Sequence, residues 1–255
     1  MPSSDRVTVC ISTQVGCAMG CKFCLTAKQG LIRNLSPSEI VNQLLEVQKM
    51  VDQRITNIVM MGMGEPLDNF DSVLDALSIF QDKFGFNISQ RKITVSTVGL
   101  ASEILKFGKH SNVNLAISLN APNDDIRNKI MPLVNRKYPL KELFHACRHY
   151  PLKATRRITF EYVMLEGIND SIDHAKELAQ NIKDIRCKIN LIPFNEHPKG
   201  PFQKPKEETL LAFQQQLVDH HITATIRYSR GPDILAACGQ LVSQNYAETV
   251  LNLTV

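Results

Sequence analysis

The chain contains no tryptophan, and aromatic residues make up only 6% of it. It has no apolar run of membrane-spanning length, and its first residues are polar, so neither a transmembrane helix nor a secretory signal is expected. No internal repeat, low-complexity tract or linker interrupts it, which predicts a single domain over residues 1–255. A Rossmann glycine fingerprint is missing as well. What is present is ordinary for a soluble globular protein: 255 residues, 44% hydrophobic and 21% charged. The formal charge of +4 permits RNA binding without indicating it. Seven cysteines are spread as Cys10, Cys17, Cys21, Cys24, Cys147, Cys187 and Cys238. With a cytoplasmic location expected, that usage argues for metal-binding or catalytic thiols over a disulfide framework.

Strand-like and helix-like segments alternate along the chain. Residues 7–13 (VTVCIST), 57–61, 91–97, 113–119, 157–164 and 187–192 read as buried strands, with a further short one at 223–228. Ser36, Pro37 and Glu39 form a helix start with a capping box, followed by an apolar face through Ile40, Val41, Leu44, Leu45 and Val51. Further helices are predicted over 72–83, 124–131, 140–150, 171–182 and 207–220, and again from about Ile234. Residues 195–205 read as a Pro-rich loop. This alternation predicts an α/β fold with a parallel sheet and right-handed crossovers. Six units favour a partial (βα)6 barrel, with a doubly wound open sheet as the alternative. In either, ligands gather at the C-terminal ends of the strands.

The most informative spacing is Cys17, Cys21 and Cys24, C-x3-C-x2-C, directly after the first strand. A zinc site would need a fourth ligand, and the nearest histidine in sequence is His110. A four-iron cubane normally takes four thiolates, so three leave one iron open to a ligand. After the second strand comes Gly62-Met63-Gly64-Glu65-Pro66, where glycines permit close backbone approach and a carboxylate suits the ammonium group of an amino acid. Alone, Gly-Glu-Pro is an ordinary turn, and a cysteine inside an apolar strand, as Cys10 is, is ordinarily a small hydrophobe. Cys238, flanked by Ala237 and Gly239 and following Asp233 as a possible helix cap, is expected to have a lowered pKa at a helix N-terminus.

The three-cysteine spacing, with Phe23 before the last cysteine, is similar to that of radical S-adenosylmethionine (SAM) enzymes. The stretches CISTQVGCAMGCKFC, MGMGEPLDN, ITVSTVG, LAISLNAPND, FEYVMLEGIND, KINLIPFN and AACGQL, in this order, closely resemble the RlmN family over nearly the whole chain. That resemblance implies a radical SAM partial (βα)6 TIM-like barrel that methylates C2 of adenine in 23S ribosomal RNA and in transfer RNA through a methyl-cysteine. It implies a [4Fe–4S] cluster on Cys17, Cys21 and Cys24, and SAM contacts from Gly64, Glu65, Ser96, Ser118, Leu119, Asn120 and Asn195. It also implies Cys238 as methyl carrier, Cys10 as its resolving, disulfide-forming partner, an electron donor such as flavodoxin, and a monomer. Cys147 and Cys187 match no role.

Two departures accompany the resemblance. Family members carry a helical N-terminal RNA-binding domain and, in that extension, the glutamate assigned as general base; this chain starts near the first motif and offers no matched proton acceptor. Where the family commonly has SLH, this chain has Ser118-Leu119-Asn120, and Asn does not titrate near neutrality. Lys22, Lys28, Arg33, Arg156, Arg157, Lys199, Lys204, Lys206, Arg227 and Arg230 are candidates for phosphate contacts around the barrel mouth, against the usual reading of a solvated surface. The alternatives are a C8 methyltransferase like the sister Cfr family and a catalytically silent iron–sulfur, RNA-binding protein.

Overall fold

The structure, a computed structural model, describes residues 2–3, 6–196, 200–229 and 237–242. Its first strands are β1 (Pro2–Ser3), β2 (Arg6–Cys10) and β3 (Gln14–Gly16). There follow α1 (Leu25–Gln29), β4 (Leu31–Asn34), α2 (Pro37–Met50), β5 (Asn57–Met60), α3 (Phe70–Gln81), β6 (Ile93–Thr97), α4 (Ala101–His110) and β7 (Asn114–Ser118). The remainder is α5 (Asp124–Ile130), α6 (Pro132–Lys137), α7 (Leu140–His149), β8 (Ile158–Met164), α8 (Ile172–Ile182), β9 (Cys187–Pro193), α9 (Glu207–Asp219) and β10 (Ala224–Ile226).

Eight strands form one sheet in the order β1-β2-β5-β6-β7-β8-β9-β10. Only β1 runs antiparallel; from β2 to β10 every neighbour is parallel. Strand order follows chain order without reversal, so right-handed crossovers put every helix on one face. A doubly wound sheet would reverse at a switch point. The sheet is therefore a half-barrel of six βα units closed by the short strand β10.

Alternation along the strands decides what each face does. Ile58 and Met60, Ile93 and Val95, Leu115 and Ile117, Phe160 and Tyr162, and Ile189 and Leu191 turn to the helices and form the main core. Phe160 meets Phe144 of α7 edge-on, and Tyr162 meets Phe213 of α9. The intervening residues line the concave face: Cys10, Thr94, Ser96, Ser118, Glu161, Asn190 and Thr225 among them. Register aligns Ser118, Glu161, Asn190 and Thr225 in one row across β7 to β10. The lumen is thus polar by construction.

The predicted capping box is formed, with Ser36 accepting from Glu39 N–H and the Glu39 side chain accepting from Ser36 N–H. The first strand stops at Cys10, not residue 13, because the Thr13 and Gln14 amides turn to the Met63 carbonyl. Helix α4 was not expected. Leu100 caps it without a side-chain bond, and Gly108 interrupts its pattern. That glycine is needed, since a Cβ there would lie 2.6 Å from Pro151 Cδ. The expected helix from about Ile234 begins outside the described residues.

Asn169 locks the C-terminal ends of β7 and β8. It is fully buried; its Nδ2 donates to the Asn120 and Val163 carbonyls, at 2.7 and 2.8 Å, and its Oδ1 accepts from Leu165 N–H. Asn169→Ala leaves three buried backbone groups unpaired and is expected to cost about 3 kcal/mol. Lys176→Ala, which breaks the exposed pair with Asp173, should stay within about 0.5 kcal/mol. Urea midpoints at unchanged m-value test both.

Candidate active site

The cysteine loop is the connection of a small hairpin. β3 and β4 pair antiparallel, and residues 17–30 bridge them. Cys17 N–H donates to the Gly30 carbonyl at the neck. Gly16 has φ +79°, and a Cβ there would lie 1.8 Å from that same Gly30 oxygen, so only glycine closes this neck. Cys21, Ile130, Met131, Val134, Leu165 and Phe194 form a second apolar cluster, with Phe23 and Cys24 packed against it. The loop therefore rests on a dry platform at the C-terminal ends of the strands.

Cys17 and Cys21 are buried, and Cys24 is half-buried. Burial pushes Cys17 up to about 12 and Cys21 well above the usual thiol range, and each also feels the charge of Cys24. The three sulfurs are thus electrostatic neighbours. Arg127, fully buried, opposes the rise at Cys21. Its guanidinium donates to Val98 O at 2.7 Å, Tyr138 O at 3.0 Å and Asn135 Oδ1 at 3.3 Å. Burial brings its own pKa down to about 10. Sequence reading missed Arg127; its only signal was a charged residue at a helix position otherwise facing the core. Three sulfurs over a buried cation, on apolar packing, suit an anionic thiolate cluster. Among the described residues no group of three His, Cys, Asp or Glu closes around a single ion, which leaves the zinc alternative without a preformed cage there. A cubane spreads its ligands over separate corners and does not require them to meet at one point.

The glycine-rich loop after β5 is laced to the cysteine loop. Gln14 Oε1 accepts from Glu65 N–H at 2.8 Å, and its Nε2 donates to Asp68 and Asn34. Gly64 has φ +100°, and a Cβ on it would lie 2.5 Å from Gln14 Cβ. The Glu65 side chain is engaged within the fold. It is 1% exposed, with Oε2 accepting from Val98 N–H at 2.7 Å and Oε1 from Leu67 N–H at 3.0 Å. Burial raises the carboxyl to about 7 against these bonds. The carboxylate braces the two loops.

Asn120 is likewise engaged within the fold. Its φ of +59° is one that asparagine tolerates. Its side chain is buried, donating to Met131 Sδ and accepting from Val163 N–H. Leu119 is buried too, while Ser96 and Ser118 are half-buried on the lumen face. Asn195 Nδ2 donates to the Cys238 carbonyl at 3.1 Å and to Ser229 Oγ at 2.9 Å, which makes it a clamp on the C-terminal segment.

Cys238 lies in that segment, over the cysteine loop. The Gly239 carbonyl accepts from Leu25 N–H at 2.7 Å, and the Leu241 carbonyl from Thr26 Oγ1. The residue is open to solvent, yet protein crowds its sulfur on the other sides; that crowding, then the charge of Glu161, pushes the thiol up, while Arg227 opposes. The expected lowering is therefore reversed, and Asp233 lies outside the described residues. Cys10, half-buried at the end of β2, is pushed up to about 12, first by burial and next by the charge of Cys238. Cys10 thus lies within electrostatic reach of Cys238. Cys147 and Cys187 lie elsewhere, on α7 and at the start of β9.

The basic residues divide. Arg227 reaches the lumen beside Glu161 and Cys238. Arg156 and Arg157 precede β8 and bond Asn114 Oδ1 and Thr223 Oγ1, at the opposite rim from the mouth, which corrects their grouping with it. Arg33 is paired with Glu39 on the surface. Lys199 and Arg230 lie outside the described residues.

The Radical SAM superfamily model matches residues 11–179. The Dual-specificity RNA methyltransferase RlmN of Syntrophus aciditrophicus is 56% identical over 243 residues, spanning 94% of this chain and 70% of that protein. The protein of the same name from Syntrophobacter fumaroxidans is 52% identical, over 96% of this chain and 72% of its own. A crystal structure of a radical SAM methyltransferase from Sphaerobacter thermophilus superposes with a TM-score of 0.90 at 47% identity, covering 94% of this chain and 71% of that one. With the half-barrel, the three-cysteine hairpin loop and these relatives in hand, the chain belongs to the RlmN family of radical SAM RNA methyltransferases, whose cofactors are a [4Fe–4S] cluster and SAM.

Proposed function

We propose that this chain methylates C2 of an adenine in 23S ribosomal RNA and in transfer RNA, with Cys238 carrying the carbon and Cys10 releasing the product. The observation that carries this reading is that the backbone of Cys238 and Gly239 is bonded to Asn195 and to Leu25 of the cysteine loop, with Cys10 within electrostatic reach of Cys238. Adenine C2 is electron-poor and does not attack a methyl donor, so a protein sulfur must first hold the carbon and then deliver it.

Cys17, Cys21 and Cys24 are assigned to the [4Fe–4S] cluster, with Arg127 offsetting its negative charge. SAM is assigned to Ser96, Ser118 and Asn195, to the Gly64–Glu65 backbone, and to the backbone of Leu119 and Asn120, since the side chains of Glu65 and Asn120 are engaged within the fold. When bound, these cofactors supply the methyl group and the one-electron chemistry that takes a hydrogen from an S-methyl group. Cys238 receives the methyl group on its sulfur and, over the lumen, links to C2 through that carbon. After a base takes the C2 proton, the Cys10 thiol loses its proton and attacks the linking sulfur; the Cys10–Cys238 disulfide forms as the S–CH2 bond breaks, its electron pair passes to the carbon, which takes up a proton to become the C2 methyl group, and an external reductant restores the thiols. Arg227, Lys204, Lys206, Lys22 and Lys28 are assigned to RNA phosphates at the mouth. The reading includes a one-electron donor such as flavodoxin, a single barrel domain over residues 1–255, a monomer and a cytoplasmic location. No helix of the described residues is long and apolar enough to cross a membrane.

Cys238→Ala is expected to keep the cluster's visible absorbance and to lose both methyl loading at position 238, read by peptide mass spectrometry, and RNA methylation. Cys10→Ala should accumulate a covalent protein–RNA species on denaturing gels; free methylated RNA at the wild-type rate would refute the resolving role. Cys24→Ala should lose the cluster absorbance. Nucleoside analysis of wild-type product RNA is expected to give 2-methyladenosine, and finding only the 8-methyl isomer would reject the assignment.

A further inference from the structure

Glu161 is a buried carboxyl group in the lumen with half of its bonding capacity unused. It is 6% exposed, and its Oε1 accepts from Asn190 Nδ2 at 2.9 Å. Oε2 is buried and has no hydrogen-bond partner among the described residues. A buried polar atom without a partner is costly and in native proteins calls for an explanation. Its surroundings are Ser118 and Thr225 along the row, Arg227 and Lys188 as the facing cations, and Cys238 above. No charge acts on Cys238 more strongly than that of Glu161.

The inference rests on the proposed function, in which one carbon joins the Cys238 sulfur to adenine C2. Whatever neighbours that sulfur then neighbours the C2 edge of the base. The ring atom next to C2 on the Watson–Crick side is N1, an acceptor in adenine. We propose that Glu161 recognises the target base by donating a hydrogen bond from its Oε2 hydroxyl to adenine N1, with Asn190 fixing the carboxyl through Oε1. Burial, the largest influence on this carboxyl, moves it toward the proton-bearing form, while Asn190, Arg227 and Lys188 oppose; in the proposed contact Oε2 carries the proton. Hypoxanthine, which also carries hydrogen at C2, presents N1–H there and sets donor against donor, so the same carboxyl selects adenine.

The test compares wild type with Glu161→Gln and Glu161→Ala in the cluster-loaded full chain. A glutamine amide mimics the neutral carboxyl: its carbonyl accepts from Asn190, and its nitrogen takes the place of Oε2 and donates to N1. Glu161→Gln should hold kcat/KM on adenine-containing RNA within about threefold, while Glu161→Ala falls roughly tenfold or more. Methyl loading of Cys238, read by peptide mass spectrometry without RNA, should be equal in all three. RNA carrying 1-deazaadenosine, which lacks the N1 acceptor, should be a poorer substrate for wild type, and that penalty should largely vanish in Glu161→Ala.

Three results would overturn the proposal: a Gln variant as impaired as Ala, an equal deaza penalty in wild type and Ala, or a loss of Cys238 loading in either variant. The last would make Glu161 a partner of the thiol instead of the base. Wild-type protein that never loads Cys238 would overturn the underlying function, and this inference with it.

Discussion

The mouth of the barrel is organised by a few hydrogen bonds that hold residues 237–242 across the cysteine loop. Leu25 N–H reaches the Gly239 carbonyl, Thr26 the Leu241 carbonyl, Asn195 the Cys238 carbonyl, and Gln240 Nε2 the Glu196 carbonyl at 2.9 Å. Each contributes about 1 kcal/mol net. Among the described residues, these bonds fix the backbone on both sides of Cys238 at the mouth. The attachment is also local, because Cys238 is exposed and its segment adds little to the main core. Its release would break these few bonds and leave the sheet beneath intact, which suits the carrier role proposed for Cys238.

The site beneath that segment follows from the period-two alternation of a parallel sheet whose helices all lie on one face. One face of each strand is apolar and packs; the other is left to line a concavity, and here it carries Ser96, Ser118, Glu161 and Asn190. Fixed charge is placed sparingly. Arg127 is buried under the cluster loop, and Arg227 and Lys188 lie on the lumen side near the buried carboxyl group of Glu161. Buried away from water, the Arg127 charge acts further than it would in solvent, whereas Arg227 and Lys188 are exposed and screened.

Much of this was legible in the sequence. The strands and most helices follow their apolar periods to within a few residues, and the Ser36–Glu39 box is formed as its spacing predicts. The three-cysteine spacing and the glycine-rich loop fall where a barrel presents ligands. Three kinds of feature were not legible. Helix α4 and the β3–β4 hairpin lack local start signals and are set by tertiary contacts, Gly108 against Pro151 and Gly16 against Gly30. The Glu65 and Asn120 side chains turn into the protein because backbone amides some distance away in the chain are there to be satisfied, which no spacing reveals. Arg127 and Glu161 acquire their character from burial alone, and Cys238 is pushed up and not down because it is crowded beside Glu161.

The central claim is that the two ends of the chain meet as one reactive thiol pair. Mild oxidation of the cluster-loaded protein, followed by non-reducing peptide mapping, tests it most directly. The account predicts a disulfide between Cys10 and Cys238 as the first to form, with Cys147 and Cys187 still reduced. A Cys238 that stays free, or that pairs first with any other cysteine, would contradict it.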